Sequence, residues 1–260
     1  MINFGTLKRY NRIMLLDIGD VLCHVDLIKF VSDLEVFGFS NEEAWDFLIG
    51  IQKVQDIGLT TLSVELKKLI VKKHGYYDGL TENIQTLVLQ WYDVIHPDET
   101  VLNSLNELKK AYKKNKLNIG FILCSNLGKE HADKMNYYLS SFIDDDVGLF
   151  YSCRVGAIKP QYSYFKSLFD LYPNLDNCRP YYLDDNIDNI NAAKLFDIDA
   201  HLFSLSSICG KIIPGEDDKY LKKKIKVDIE SHMFNVLEED LNRLMISDDY
   251  KYNPFRYGNL

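Results

Sequence analysis

Nowhere in the 260 residues does an apolar run approach the roughly 20 positions needed to cross a bilayer, so no membrane-spanning helix is expected. The five cysteines (Cys23, Cys124, Cys153, Cys178 and Cys209) are odd in number and include no CxxC pair. That pattern argues against a disulfide framework or a zinc site and for a reducing compartment. Residues 1–12 carry three Lys/Arg, but no apolar stretch of leader length precedes Ile13 and no small-residue cleavage pattern follows Leu16. Secretion is not indicated, and a cytoplasmic protein is expected. Basic charge is also short: a formal net charge of −8 opposes a sequence-independent grip on phosphate backbones, which excludes nucleic acid as a partner. The run Lys222-Lys223-Lys224 reads as a solvated face, too short to imply a membrane surface. There is no internal repeat and no low-complexity segment.

What is present is globular. An apolar fraction of 47% supports one substantial core, with room for an insert or a second small unit at this length. Ile13 to Leu16 is a short apolar run that breaks at Asp17 and Gly19, as a buried strand ends in a turn. The next roughly 90 residues read as helices without a strand. Ser40 and Glu43 form a capping-box pattern, Leu62, Leu66, Leu69 and Ile70 keep helical spacing before Gly75, and Thr81 stands where a further helix can begin. Pro97 is placed to open another helix, carried by Val101, Leu102, Leu105 and Leu108.

Strand and helix then alternate. Strands are expected at 119–124, 149–152, 181–183 and 201–203, with helices at 128–139, 162–171 and 187–196 between them. This rhythm predicts an α/β fold, a Rossmann-like parallel sheet with helices on both faces. Residues 204–260 differ: positions 229–245 keep helical apolar spacing, and the segment is expected to pack on the domain. Trp45 and Trp91 read as core, and Asp144-Asp145-Asp146 as an exposed loop rather than a metal site.

In a parallel sheet ligands bind beyond the carboxyl ends of the strands, so the polar residues there carry the chemistry. Those ends read Asp17-Ile18-Gly19-Asp20-Val21, then Ser125-Asn126, then the approach Gly156-Ala157-Ile158-Lys159-Pro160, then Asp184-Asp185-Asn186. Each is weak alone: Asp17 could be a helix cap, Ser125 likewise, and an acidic pair is usually a solvated turn. Taken in this order, over residues 12 to about 203, they resemble the four motifs of the haloacid dehalogenase (HAD) superfamily. The nearer likeness is to members whose first motif reads D-x-G-N-V, which include sugar-phosphate phosphatases similar to alpha-glucose-1-phosphatase.

The resemblance implies a core of residues 1–23 and 97–203, a helical cap over the site at 24–96, and an extension at 204–260. It implies Asp17 as the nucleophile of a phosphatase, splitting hydrolysis into two steps through an aspartyl-phosphate. Three carboxylates at one sheet end would repel one another unless a hard cation sits among them. The family's Mg²⁺ is expected to contact Asp17, the backbone carbonyl of Gly19 and Asp185, with Asp184 a ligand or a partner just behind. Ser125 and Asn126 are expected to donate to phosphate oxygens, and Lys159 to offset the developing charge. A small phosphorylated metabolite is the expected substrate, a sugar phosphate first, and a protein partner is conceivable through residues 204–260.

One family role is missing. Most phosphatases of the superfamily carry a second aspartate two residues after the nucleophile, which protonates the leaving oxygen, whereas this chain has Gly19 there. Such a proton transfer contributes about 10²- to 10⁴-fold in rate. Asp20 is the first candidate to replace it, with His24 and Asp26 behind. A weakly catalytic binding protein is therefore the second reading. Dehalogenation at Asp17 is a third, less favoured because displacement at carbon needs no such paired carboxylates for a metal.

Overall fold

The computed structural model describes residues 10–209 and 218–251, with side chains on the last helix described for 221–243. Expectations on residues 1–9, 210–217 and 252–260, and on the side chains of Cys209, Lys219, Leu244 and Met245, lie outside the described residues. In chain order the strands are β1 (Arg12–Leu16), β2 (Cys23–Val25), β3 (Ile95–Pro97), β4 (Ile119–Ser125), β5 (Val147–Tyr151), β6 (Pro180–Asp184) and β7 (Asp199–Leu202). The helices are α1 (Leu27–Val36), α2 (Asn41–Gln55), α3 (Leu62–His74), α4 (Leu80–Tyr92), α5 (Glu99–Lys114), α6 (Lys129–Tyr138), α7 (Ser152–Val155), α8 (Tyr162–Leu171), α9 (Ile187–Lys194), α10 (Leu205–Cys209) and α11 (Asp218–Lys251).

The five long-range strands pair in the order β5-β4-β1-β6-β7, all parallel. Successive side chains point to opposite faces, and the core divides accordingly. Met14, Leu16, Phe121, Leu123, Tyr181 and Leu183 belong to one cluster; Ile13, Leu15, Ile122, Cys124 and Tyr182 belong to the other. Both faces are covered, which is why these strands read as unbroken apolar runs. Helices α5, α6 and α11 cover the first face, and α8 and α9 the second.

Between β2 and β3 lie α1 to α4, whose buried residues continue the first cluster without a break. The capping box at Ser40 and Glu43 forms as read: the Ser40 hydroxyl accepts from Glu43 N–H, and the Glu43 carboxylate accepts from Ser40 N–H. The expectation of no strand in this region is corrected. Cys23–Val25 and Ile95–Pro97 form an antiparallel ribbon, with His24 opposite His96, at the neck where the helical insert leaves and rejoins the core. Three-residue strands are too short to show a period. Pro97 closes β3 instead of opening a helix; the next residue, Asp98, caps α5 by accepting from Val101 N–H at 2.9 Å. Gly79, not Thr81, precedes α4.

The chain builds β1, β4 and β5 toward one edge, then returns to lay β6 and β7 on the other side of β1. The order therefore reverses beside β1, and its carboxyl end is the switch point at which open α/β sheets bind ligands.

Candidate active site

Register decides what meets at that end. Leu16 stands opposite both Leu123 and Leu183, and the next residue, Asp17, donates its N–H to Leu183 O at 3.0 Å. The Asp17 carboxylate is thereby set between the ends of β4 and β6. It is 7% exposed; its Oδ1 accepts from Ile18 N–H at 2.7 Å, and the Ser125 hydroxyl also bonds it.

Lys159 reaches the same point from the loop before α8. Its ammonium, itself buried, lies 3.0 Å from Asp17 Oδ2 and 2.6 Å from Asp184 Oδ2, and donates to Cys124 O at 3.0 Å. Burial opposes its charge, but the two carboxylates outweigh it and raise the lysine above its usual range. Burial likewise pushes Asp17 up, against the pull of Lys159 and with the repulsion of Asp184. Asp184, with Lys159 and several donors on it, is held down despite its own burial.

Asp184 has little capacity left for a ligand. Its Oδ2 accepts from Lys159 and the Tyr182 hydroxyl, and its Oδ1 from Asn186 N–H and Asn189 Nδ2, both at 2.9 Å. Asp185 is exposed at the rim, yet loss of surrounding water and then the charges of Asp17, Asp184 and Asp20 push its carboxyl up. One oxygen from each of Asp17, Asp184 and Asp185 can be chosen so that all lie within 4.8 Å of one another. Carboxylates that repel each other at this spacing are a fitting donor set for a hard cation. Asp17 and Asp185 line the cleft with Gly19, whereas Asp184 stands behind Lys159, so the first three are the better-placed ligands.

Asn126 lines the cleft, but its side chain is committed elsewhere. Nδ2 donates to Lys159 O at 3.0 Å and Oδ1 accepts from Lys159 N–H at 2.9 Å, so it clamps the peptide that presents the lysine. Of the two donors expected of Asn126, side chain or backbone, the side chain is the one already engaged. Leu127 and Gly128 line the same cleft where α6 begins, and a helix N-terminus favours an anion.

The three candidates for the missing acid have other partners. Asp20 sits at φ +55°; its Oδ1 accepts from Ser206 N–H at 2.6 Å, and its Oδ2 from the hydroxyls of Ser204 at 2.5 Å and Ser206 at 2.7 Å. Three donors thus point at the Asp20 carboxylate. His24 Nε2 is 2.7 Å from Asp98 Oδ2, which raises the imidazole and lowers the carboxyl. Asp26 caps α1, accepting from Lys29 N–H at 3.2 Å.

The cleft has a volume of about 390 Å³, and part of its lining comes from the insert, including Gln52, Gln55, Asp56 and Trp91, joined by His131 of α6. His131 Nε2 donates to Trp91 O at 2.9 Å, and the imidazole stacks on that indole with ring centres 4.6 Å apart. Trp91 is core as expected, 3% exposed, but also touches the cleft; its Nε1 has no partner among the described residues. Asp56 and His131 carried no sequence signal, since an aspartate at a helix end and a lone histidine on an apolar face are both common without function.

No family model matches the sequence, and no curated protein matches it. Solved structures do. A HAD-family enzyme from Bacteroides thetaiotaomicron superposes with a TM-score of 0.57 at 20% identity, over 82% of this chain and 98% of that one. The fold is that of the HAD-family enzymes. A predicted HAD-like hydrolase from Porphyromonas gingivalis gives a TM-score of 0.52 at 16% identity, over 76% and 92% of the two chains. Structures of the Bacteroides enzyme include a magnesium complex and a complex with magnesium and inorganic phosphate. Among the described residues of the present chain, the cluster of Asp17, Asp184 and Asp185 could hold a metal ion.

Proposed function

We propose that this chain is a Mg²⁺-dependent phosphatase of the HAD superfamily, with Asp17 as nucleophile and a small phosphorylated metabolite, a sugar phosphate first, as substrate. The observation that carries this reading is the convergence of Asp17, Lys159 and Asp184, from three separate segments, within 3.0 Å of one ammonium at the switch point. Asp17, Asp185 and the Gly19 carbonyl would hold the cation. Bound there, it would offset the carboxylate repulsion and the charge of an incoming phosphate.

The chain's own residues then have separable tasks. Asp17 Oδ attacks phosphorus and the ester P–O bond breaks, giving the aspartyl-phosphate; water later cleaves that acyl-phosphate and returns the carboxylate. Lys159, fixed by Asp184, Cys124 O and the Asn126 clamp, presents positive charge to the equatorial oxygens without needing to reorganise. The Ser125 hydroxyl holds the Asp17 carboxylate in place, and the start of α6 faces the anion. The insert supplies part of the cleft's lining and with it the choice of alcohol. The sequence likeness to D-x-G-N-V phosphatases supports the same reading, and a cytoplasmic setting fits a sequence whose five cysteines are odd in number and include no CxxC pair.

The test is a panel of phosphate esters with and without Mg²⁺, with Asp17→Asn as control. Mg²⁺-dependent release of phosphate that Asp17→Asn abolishes is expected. Activity that ignores the metal or survives Asp17→Asn would sink the mechanism. An inert wild type that still binds Mg²⁺ with beryllofluoride would favour the binding-protein reading, which Gly19 motivates.

A further inference from the structure

Position 19 offers no proton donor, but the helical insert contributes another carboxyl, Asp56, to the same cleft. Resting on the phosphatase reading above, we propose that Asp56, from the helical insert, is the general acid that protonates the leaving oxygen and then the base that activates water.

Asp56 is the C-cap of α2 and lines the cleft that Asp17, Lys159 and Asp185 line from the core. An acid in the cleft that receives the leaving group can protonate it as the in-line displacement expels it. Its carboxyl has no hydrogen-bond or ion-pair partner among the described residues, unlike Asp20, His24 and Asp26. It is therefore free to give up a proton and take one back.

The turn that carries it is fixed to the core on both sides. Gln55 Nε2 donates to Glu130 Oε2 at 3.1 Å, and the other Glu130 oxygen accepts from Leu62 N–H at 2.9 Å. Gln55 packs so closely on Gly128 that a Cβ there would lie 2.4 Å from Gln55 Cγ. On the other side Gly58, at φ +77°, lies against α7; a Cβ on it would be 2.4 Å from Cys153 O. Two glycines thus permit the close approach that seats Asp56 in the site, and a preorganised acid loses little in reaching its position.

The charged and titratable groups that act on it are Asp17, just after β1, Lys159 from the loop before α8 and Cys153 from α7, while Glu130 of α6 holds the neighbouring Gln55. Burial first, then the charge of Asp17, push Asp56 up to about 7, with Lys159 opposing. Burial is the larger of these causes, and it favours the protonated carboxyl.

The step balances. As Asp17 Oδ bonds to phosphorus, the ester P–O bond breaks and its electron pair goes to the leaving oxygen, which takes the Asp56 proton. The Asp56 carboxylate then accepts a proton from water as that water's oxygen attacks the aspartyl-phosphate. The Asp17 Oδ–P bond breaks, releasing inorganic phosphate, a free Asp17 carboxylate and a protonated Asp56.

The experiment compares an alkyl phosphate, whose leaving alkoxide needs a proton, with 2,4-dinitrophenyl phosphate, whose phenolate does not. In the Mg²⁺-loaded enzyme, Asp56→Asn is expected to lower kcat/KM for the alkyl ester about 10²- to 10³-fold and for the aryl ester less than about tenfold. A burst of dinitrophenolate equal to the enzyme concentration is also expected, because the second step has lost its base. Asp56→Ala, which removes the carboxyl without adding an amide, should repeat the pattern. Asp56→Glu should recover part of the alkyl activity. Equal losses on both esters, or none, would overturn the role of Asp56 while leaving the phosphatase reading intact. A wild type inert on both esters would overturn the phosphatase reading itself, and the role of Asp56 with it.

Discussion

Lys159 Nζ lies 2.6 Å from Asp184 Oδ2 and 3.0 Å from Asp17 Oδ2, so one buried ammonium compensates two carboxylates on adjacent parallel strands. The shorter contact is to Asp184, the carboxylate already saturated by neutral donors. Asp184 therefore holds the lysine more closely than Asp17 does.

Removing the ammonium leaves two buried charges without compensation, a change that typically costs about 3–5 kcal/mol. Lys159→Met should lose stability of that order at pH 7 in urea unfolding without metal, and lose phosphatase turnover. The deficit should shrink as pH falls. Without the lysine both carboxylates bind protons more tightly folded than unfolded, so folding takes up protons and gains stability as pH drops. A deficit that stays constant from pH 8 to pH 5 would show that neither carboxylate depends on Lys159.

Far from the site, Asp240 of α11 accepts from Arg12 Nη2 at 2.9 Å, from Arg12 Nε at 3.2 Å and from the Tyr112 hydroxyl at 2.6 Å. Arg12 is fully buried at the start of β1, the opposite end of the strand from Asp17. Asp240→Ala should cost about 3–5 kcal/mol, because it strands a buried guanidinium that keeps half-exposed Glu239 as its other ion partner. The double change Arg12→Met with Asp240→Leu should recover much of it. Urea midpoints of the three variants check this, and kcat of the folded fraction should not move.

The sheet and the positions of its polar strand ends were largely legible in the sequence. Strands buried on both faces write unbroken apolar runs, which give way to polar residues at Asp17, just after β1, and at Ser125 and Asp184, the last residues of β4 and β6. Lys159 was legible through its motif alone, since nothing local says that a loop lysine is pulled into the core by two carboxylates. Asp56 was not legible. Its place in the site depends on Gln55 meeting Gly128 and Gly58 meeting Cys153, contacts across 73 and 95 positions of chain that no local period encodes. Asn126 was half legible: its position at the strand end was read, but its use as a clamp on Lys159 needs the loop's return.

His131 offers a pH test of the contact between core and insert. Burial lowers its imidazole from the ordinary 6.5 to about 4, with the Trp91 carbonyl pulling the other way and Lys134 adding to the fall. Between those two values the unfolded chain binds a proton that the folded one refuses. Stability is then complete above about pH 6.5 and lost as pH falls toward 4, by up to about 3 kcal/mol for this group. His131→Gln should be somewhat less stable at pH 7 and should show a flatter decline between pH 6.5 and 4. Chemical denaturation of both proteins across that range is the measurement. Parallel declines would mean that His131 titrates normally in the fold.

The two glycines flanking Asp56 give the sharpest contrast with a third glycine on the same insert. Gly50 lies inside α2, exposed, and a methyl added to it would meet nothing within 4 Å; Gly50→Ala should stabilise by roughly 0.5–1 kcal/mol through helix propensity alone. Gly58 has the opposite surroundings. Its φ of +77° disfavours any side chain, and the atom a methyl would strike is the backbone oxygen of Cys153, which has no rotamer to yield. Gly58→Ala should therefore destabilise by about 1–3 kcal/mol and push the turn away from α7. At Gly128 the obstacle is the Gln55 side chain, which can swing aside, so Gly128→Ala should cost less stability while breaking the Gln55–Glu130 bond. If that turn is what seats Asp56, both variants should lose more activity on alkyl phosphates than on 2,4-dinitrophenyl phosphate, and Gly58→Ala should lose the more. Thermal midpoints paired with kcat/KM on the two esters decide it, and equal losses on both would separate the docking of the insert from proton delivery.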